Sequence, residues 1–155
     1  MRNSILTEIF KTFSAKECKE FQLFISSPFF NKNKNVIKLG ALLLKESPEF
    51  RNENIRKEFL YKKIYPGKRY NDENMKTIIF LLTRLAEKYM AYLKFREDPF
   101  EEKSKLLVSF DKRKLDKHFH KLEKQITEEL GNTQGTGLTL INNKITFEKA
   151  RGTFY

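Results

Sequence analysis

An all-α fold, an irregular bundle of about six to seven helices, follows from three features of this sequence. Apolar residues recur at helical spacing in one segment after another. Helix breakers are few, with six Gly and four Pro in 155 residues. The widest apolar stripe, Met75, Ile78, Ile79, Leu82, Leu85, Ala86, Tyr89, Met90 and Leu93, runs through the longest uninterrupted stretch of the chain. Its width implies neighbours on more than one side, as expected of a central helix reaching from Asn71 or Asp72 to about Arg96.

The other elements follow in chain order. Residues 3–12 form a short amphipathic helix with Ile5, Ile9 and Phe13 on one side. Ser14-Ala15-Lys16-Glu17 has the pattern of a capping box, in which the Ser and Glu side chains satisfy amides that a helix start leaves unpaired. The helix it opens carries Cys18, Phe21, Leu23, Phe24 and Ile25 and stops near Ser27, because Pro28 disfavours α geometry in the residue before it. An Asn within Asn31-Lys32-Asn33-Lys34-Asn35 caps the next helix, which has Val36, Leu39, Leu42 and Leu43 on its buried face and ends at Ser47-Pro48. A helix from about Asn52 to Ile64 buries Ile55, Phe59 and Leu60, and Tyr65-Pro66-Gly67 is the strongest turn signal in the chain.

After the long helix, Asp98-Pro99 is a break. Two helices are expected beyond it, over 100–110 with Leu106, Leu107 and Phe110, and over 112–130 with Leu115, Phe119, Leu122, Ile126 and Leu130. Gly131, Gly135 and Gly137 mark a change of composition. Past them, Leu138-Thr139-Leu140 and Ile145-Thr146-Phe147 around Asn142-Asn143 fit a hairpin, while Ile141, Ile145 and Glu148 fit a helix, and local pattern leaves both open. The domain reading is a helical module over 1–97, a helical hairpin extension over 98–130 packed on it, and a Gly-containing segment and tail over 131–155.

The chain carries 31 Lys and Arg against 20 Asp and Glu, a net charge of +11 spread along its length. Such a balance favours acidic partners, nucleic acid among them. Abundant Lys, Asn, Ile and Phe are also what AT-biased coding produces, so charge alone selects no partner. The single cysteine, Cys18, rules out an internal disulfide framework and suits a reducing cytoplasm. With aromatic neighbours and no histidine near it in the chain, Cys18 reads as a small core residue. No run approaches the ~18 apolar residues of a membrane span, and the N-terminus lacks a signal-peptide core, so a cytoplasmic, non-membrane protein is expected.

The sequence offers no catalytic, cofactor or metal constellation, and a non-enzymatic role is expected. Gly67-Lys68 lacks the earlier glycine and the following Ser or Thr of a phosphate loop. His118 and His120 point about 200° apart on a helix and so cannot share a metal ion as an i, i+4 pair does. Two basic stretches are candidate nucleic-acid contacts. Arg113, Lys117, Lys121 and Lys124 lie opposite the Leu115, Phe119 and Leu122 side of their helix, where aligned cations can track phosphates or form an ordinary solvated face. Arg56, Lys57, Lys62, Lys63, Lys68 and Arg69 surround the turn before the long helix, which is too apolar to serve as a recognition helix.

Five phrases, Lys11-Thr12-Phe13-Ser14-Ala15-Lys16-Glu17, Ser27-Pro28-Phe29-Phe30-Asn31, Tyr65-Pro66-Gly67, Tyr70-Asn71-Asp72 and Arg113-Lys114-Leu115-Asp116, together carry a resemblance. Their spacing resembles the N-terminal part of a family of uncharacterised bacterial all-helical proteins, over roughly residues 1–125. The resemblance implies no activity and no site residue. It implies longer relatives that continue as further helices, a helical-repeat-like C-terminal extension, and a helix over 138–150. A repeat unit without its neighbour leaves an apolar face open. On that ground Phe110, Phe119 and Ile126, together with the Leu138–Phe147 region, are candidate partner-facing residues, for another protein or a second copy of this chain. A protein-interaction module is thus the leading expectation, and a nucleic-acid-binding module the alternative.

Overall fold

A computed structural model describes residues 4–50, 53–132 and 138–152. The fold is all-α: eight α-helices and one 3-10 turn, with no strand among the described residues. It comprises two compact units, Met1–Ala91 and Tyr92–Tyr155, whose boundary falls inside the longest helix. No described helix is long and apolar enough to cross a membrane.

The first unit contains α1 (Ile5–Thr12), α2 (Ala15–Ser26), α3 (Lys34–Leu44), a 3-10 turn at Glu53–Ile55, α4 (Lys57–Ile64) and most of α5 (Asp72–Arg96). In this unit each helix start but that of α4, whose N-cap Arg56 makes no side-chain cap bond, is capped by a side chain. Ser14 and Glu17 form the expected capping box: the Ser14 amide donates to Glu17 Oε2 at 2.7 Å, and the Glu17 amide to Ser14 Oγ at 3.2 Å. Ser4 and Thr7 form a second box on α1. Asn33 caps α3, its Oδ1 accepting from the amides of Asn35 and Val36. Asn71 Oδ1 does the same for Asn74 at the start of α5. Between α4 and α5, Lys68 N–H donates to the Tyr65 carbonyl at 3.2 Å across Pro66 and Gly67. The Gly67 φ of 76° is the left-handed conformation that a type II turn requires at its third residue.

The core of this unit is aromatic. Phe10 and Phe21 are fully buried and Phe13, Phe24 and Tyr89 nearly so. The Tyr89 ring of α5 meets Phe13, Phe21 and Phe24 at 5.5, 5.3 and 5.5 Å. Each buried Phe contributes about 1.5–3 kcal/mol by removing apolar area from water. At Gly40 of α3 a Cβ would collide with Ile25 Cδ1 of α2 and sit 3.5 Å from Leu82 Cδ1 of α5, so glycine sets how closely these helices approach.

Several expected burials change. On α1 the buried residues are Leu6, Thr7 and Phe10, and Ile5 is exposed, because the stripe that reaches Phe21 is the one containing Phe10. Leu23, Phe59 and Met90 are exposed as well, each on the outer side of its helix. Helix α3 ends at Leu44, ahead of Ser47-Pro48, and residues 53–56 form the 3-10 turn and the N-cap of α4 in place of continuous helix.

The second unit contains the end of α5 and three mutually packed helices, α6 (Pro99–Lys112), α7 (Asp116–Asn132) and α8 (Leu138–Arg151). Asp98, expected as a breaker, caps α6: its Oδ1 accepts from the amides of Phe100 and Glu101 at 3.0 and 3.1 Å, and Pro99 occupies the first helical position. Residues 138–151 are helical, which settles the choice left open by the local pattern. Gly135 and Gly137 lie outside the described residues. The core here is Leu107, Phe119, Leu122, Ile126, Phe147 and Ala150. Leu115 is exposed and precedes α7, which begins at Asp116 because Lys114 has a left-handed φ of 56°.

The Gly40 contact yields a direct test. Ala favours a helix over Gly by about 1 kcal/mol, yet Gly40→Ala is expected to lower unfolding stability by about 1–2 kcal/mol because the Ile25 side chain that must give way is fully buried. Adding Ile25→Val, which removes the obstructing methyl, should restore part of that loss in denaturant titrations.

Candidate functional site

Among the described residues, the largest departure from apolar-inside packing lies at the end of α2. Here Ser27 N–H donates to the carbonyls of Leu23 and Phe24 and closes the helix. Pro28 cannot continue it. The amides of Phe30 and Asn31 return to the Ser27 carbonyl at 3.1 and 3.0 Å, forming a tight turn. Asn31 fastens it: its Nδ2 donates to the carbonyls of Ile25 and Asn33, and its Oδ1 accepts from the Asn33 amide at 2.9 Å. The turn is therefore tied to the end of α2 and to the cap of α3.

This backbone leaves two phenylalanines with different roles. The Phe30 ring stacks on Phe24 at 4.1 Å and 21°, so it anchors the turn to the aromatic core. Phe29 meets Phe30 edge-on at 5.0 Å and is otherwise in water, 89 % exposed. Leu81, Arg84, Leu85 and Lys88 of α5 line a shallow hollow with Phe30 and Asn31 of about 150 Å³. Phe80 is 61 % exposed one residue before Leu81. The rim is cationic. Arg84 shares its charge with Glu87 at 2.9 Å, while Lys88 is exposed. An exposed aromatic on a rigid turn, beside a hollow with a basic rim, can accept an apolar side chain flanked by acidic groups.

The residues expected to face a partner lie elsewhere and are largely covered. Phe119 and Ile126 are fully buried, because α8 lays Phe147 and Ala150 against them. Phe110 is half-buried against that cluster, with the His118 ring 5.8 Å away. Phe119 and Ile126 are core residues of the second unit and present no open face, and the same holds for Phe147 of the expected 138–147 face; Phe110 keeps part of its surface in water. On the outer side of α8, Ile141 and Ile145 are exposed.

The basic candidates divide. Lys117, Lys121 and Lys124 are exposed on one face of α7, spaced so that their side chains align. Lys124 Nζ lies 3.9 Å from Glu128. Arg113 is not on that helix; it caps α6, and its Nε donates to Ser109 Oγ at 3.4 Å. Around the turn before α5, Lys62 and Arg69 are exposed, Lys63 Nζ lies over the Phe59 ring at 5.4 Å, and Lys68 Nζ over the Tyr65 ring at 5.9 Å. Asp72 and Glu73 at the start of α5 set carboxylates beside this basic turn, which weakens it as a phosphate surface. His120 Nδ1 lies 3.2 Å from Glu123 Oε2, and no group of three or more His, Cys, Asp and Glu among the described residues is placed to hold a metal ion.

The shifted titratable groups serve the scaffold. Hydrogen bonds from the Ser14 side chain and amide hold the Glu17 carboxyl below its usual range. Asp72 is held down to about 2, first by its hydrogen bond with Lys76 at 2.8 Å and then by the Tyr70 hydroxyl at 2.8 Å. Tyr70 rises to about 12 through desolvation first and the Asp72 bond second. Tyr70 also packs edge-on against the buried Tyr61 at 5.2 Å, so the Tyr70-Asn71-Asp72 phrase joins α4 to α5.

Cys18 is half-buried rather than in the core, on the wall of a groove between α2 and α3. Phe29, Phe30 and Leu81 were not singled out by helical periodicity, since a turn has none. The signal available was a Phe-Phe pair between Pro28 and Asn31, two large apolar residues where turn chemistry calls for polar ones.

The depressed Asp72 value sets a pH dependence. A carboxyl with a lowered folded-state pKa adds stability that is complete above its ordinary value of 3.8 and is lost as pH falls toward about 2. Asp72→Asn should lower stability at neutral pH and flatten the stability profile across that acid window, as read by urea midpoints at successive pH values. Compared with known proteins, the chain matches no family model, no curated protein and no solved structure.

Proposed function

We propose that this chain is a non-enzymatic helical protein-interaction module that docks a partner on the Phe29–Phe30 turn. The observation that carries this reading is Phe29 itself: 89 % exposed, yet presented by a turn with its backbone hydrogen-bonded at Ser27, Asn31 and Asn33. A turn whose backbone is fixed before binding loses little backbone freedom on docking, and burying its aromatic contributes about 1.5–3 kcal/mol. The basic rim at Arg84 and Lys88 favours an acidic surround on the partner. Cap and ion-pair roles for the shifted groups Glu17, Tyr70, Asp72 and Lys76 support a non-enzymatic role. The single Cys18 supports placement in a reducing cytoplasm.

Nucleic-acid binding is the second reading, favoured by the aligned, exposed Lys117 and Lys121 on α7. One experiment separates the two. A photo-crosslinking phenylalanine analogue at position 29 should give a discrete protein adduct in cells, competed by excess unmodified chain and not by a Phe29→Ser, Lys88→Glu variant. Fluorescence anisotropy with mixed-sequence oligonucleotides should show no salt-sensitive binding. Absence of a competed adduct, with binding to oligonucleotides that falls steeply with salt and is lost in Lys117→Glu, Lys121→Glu, would overturn the protein-docking reading in favour of the other.

A further inference from the structure

On the opposite margin of α2 from its C-terminal turn, the first turns of α2 and the end of α3 enclose a groove of about 750 Å³. Its walls are mainly apolar, with Phe13 and Ala15 at the α1–α2 junction, Cys18 on α2, Ala41 and Leu44 on α3, and Pro48 beyond it, and they carry two uncharged polar side chains, Gln22 of α2 and Ser47. The volume lies within the ~300–1,000 Å³ typical of small-molecule sites. Charge is supplied from both sides, by Lys19 of α2 and Lys45 at the end of α3. Both are exposed, and neither pairs with a carboxylate among the described residues, whereas neighbouring Lys16 lies 3.9 Å from Glu20. A mainly apolar trough flanked by two lysines without a carboxylate partner is complementary to a linear aliphatic chain ending in an anionic head.

We propose that this groove binds a long-chain carboxylate, the chain lying along Ala15, Cys18, Ala41 and Leu44 and the carboxylate held between Lys19 and Lys45. The site is separate from the Phe29–Phe30 turn and does not depend on it. Phe13 forms part of the groove wall and also touches Tyr89 in the core, so an occupant contacts the aromatic cluster directly.

Cys18 is the only cysteine in the chain, so its alkylation by neutral iodoacetamide reports on this groove alone. With the full chain, dodecanoate below its micellar concentration should slow alkylation saturably. Dodecanol should protect with about tenfold weaker apparent affinity, since it lacks the two charge contacts, and dodecyltrimethylammonium should protect least. Lys19→Glu, Lys45→Glu, with helicity checked by circular dichroism, should lose the advantage of dodecanoate over dodecanol while keeping protection by dodecanol. Equal protection by all three amphiphiles on the wild-type protein, or none by dodecanoate, would overturn the proposal without reference to any variant.

Discussion

Around Tyr89, three phenylalanine rings from the α1–α2 segment lie within 5.5 Å, and its single hydroxyl proton is shared between Glu20 Oε2 at 3.2 Å and the Glu17 carbonyl at 3.4 Å. A tyrosine suits this place because its ring fills an aromatic core while its hydroxyl finds acceptors at the edge. Helix α1 has only eight residues and α2 twelve, lengths at which an isolated helix is marginal in water. Their persistence therefore depends on the apolar face they bury, and that face is the Phe10, Phe13, Phe21 and Phe24 cluster resting on Tyr89.

The same cluster reaches the surface. Phe24 touches Tyr89 on one side and stacks on Phe30 on the other. Ring contacts thus run from the middle of α5 to the turn after α2, and Phe29 stands at their outer end. Hydrogen bonds through Asn31 fix the backbone of that turn, and the ring contacts fix where it lies on the helices. The exposure of Phe29 is accordingly a product of core packing, with the apolar groove on the Phe13 side of the same cluster.

Much of the fold was legible in the sequence because its causes are local. Ser14 with Glu17, Asn33 and Pro66-Gly67 act within a few residues, and their effects appear where the pattern puts them. The width of the α5 stripe correctly signalled contact on several sides, with Leu82 near α3 and Tyr89 against α1–α2. What depended on tertiary contact was not legible. Ile5 and Leu6 begin competing stripes on α1, and only the position of Phe21 decides between them. Phe119 and Ile126 seemed available to a partner only while the structure of residues 138–150 was open; once that segment is helical, Phe147 covers them. The candidate site was hidden for a related reason: a turn has no periodicity, and Leu81 joins Phe30 only through folding.

Native-state hydrogen exchange of a Tyr89→Leu variant tests most directly whether this aromatic cluster carries the display of Phe29. The account predicts that amides in α1 and α2, together with those of Phe30 and Asn31, lose protection as a group. Amides of α4, which pack around Tyr61 and Tyr70, should keep theirs. Retained protection at Phe30 and Asn31, or an equal loss across α4, would contradict it and place the anchor of the turn elsewhere.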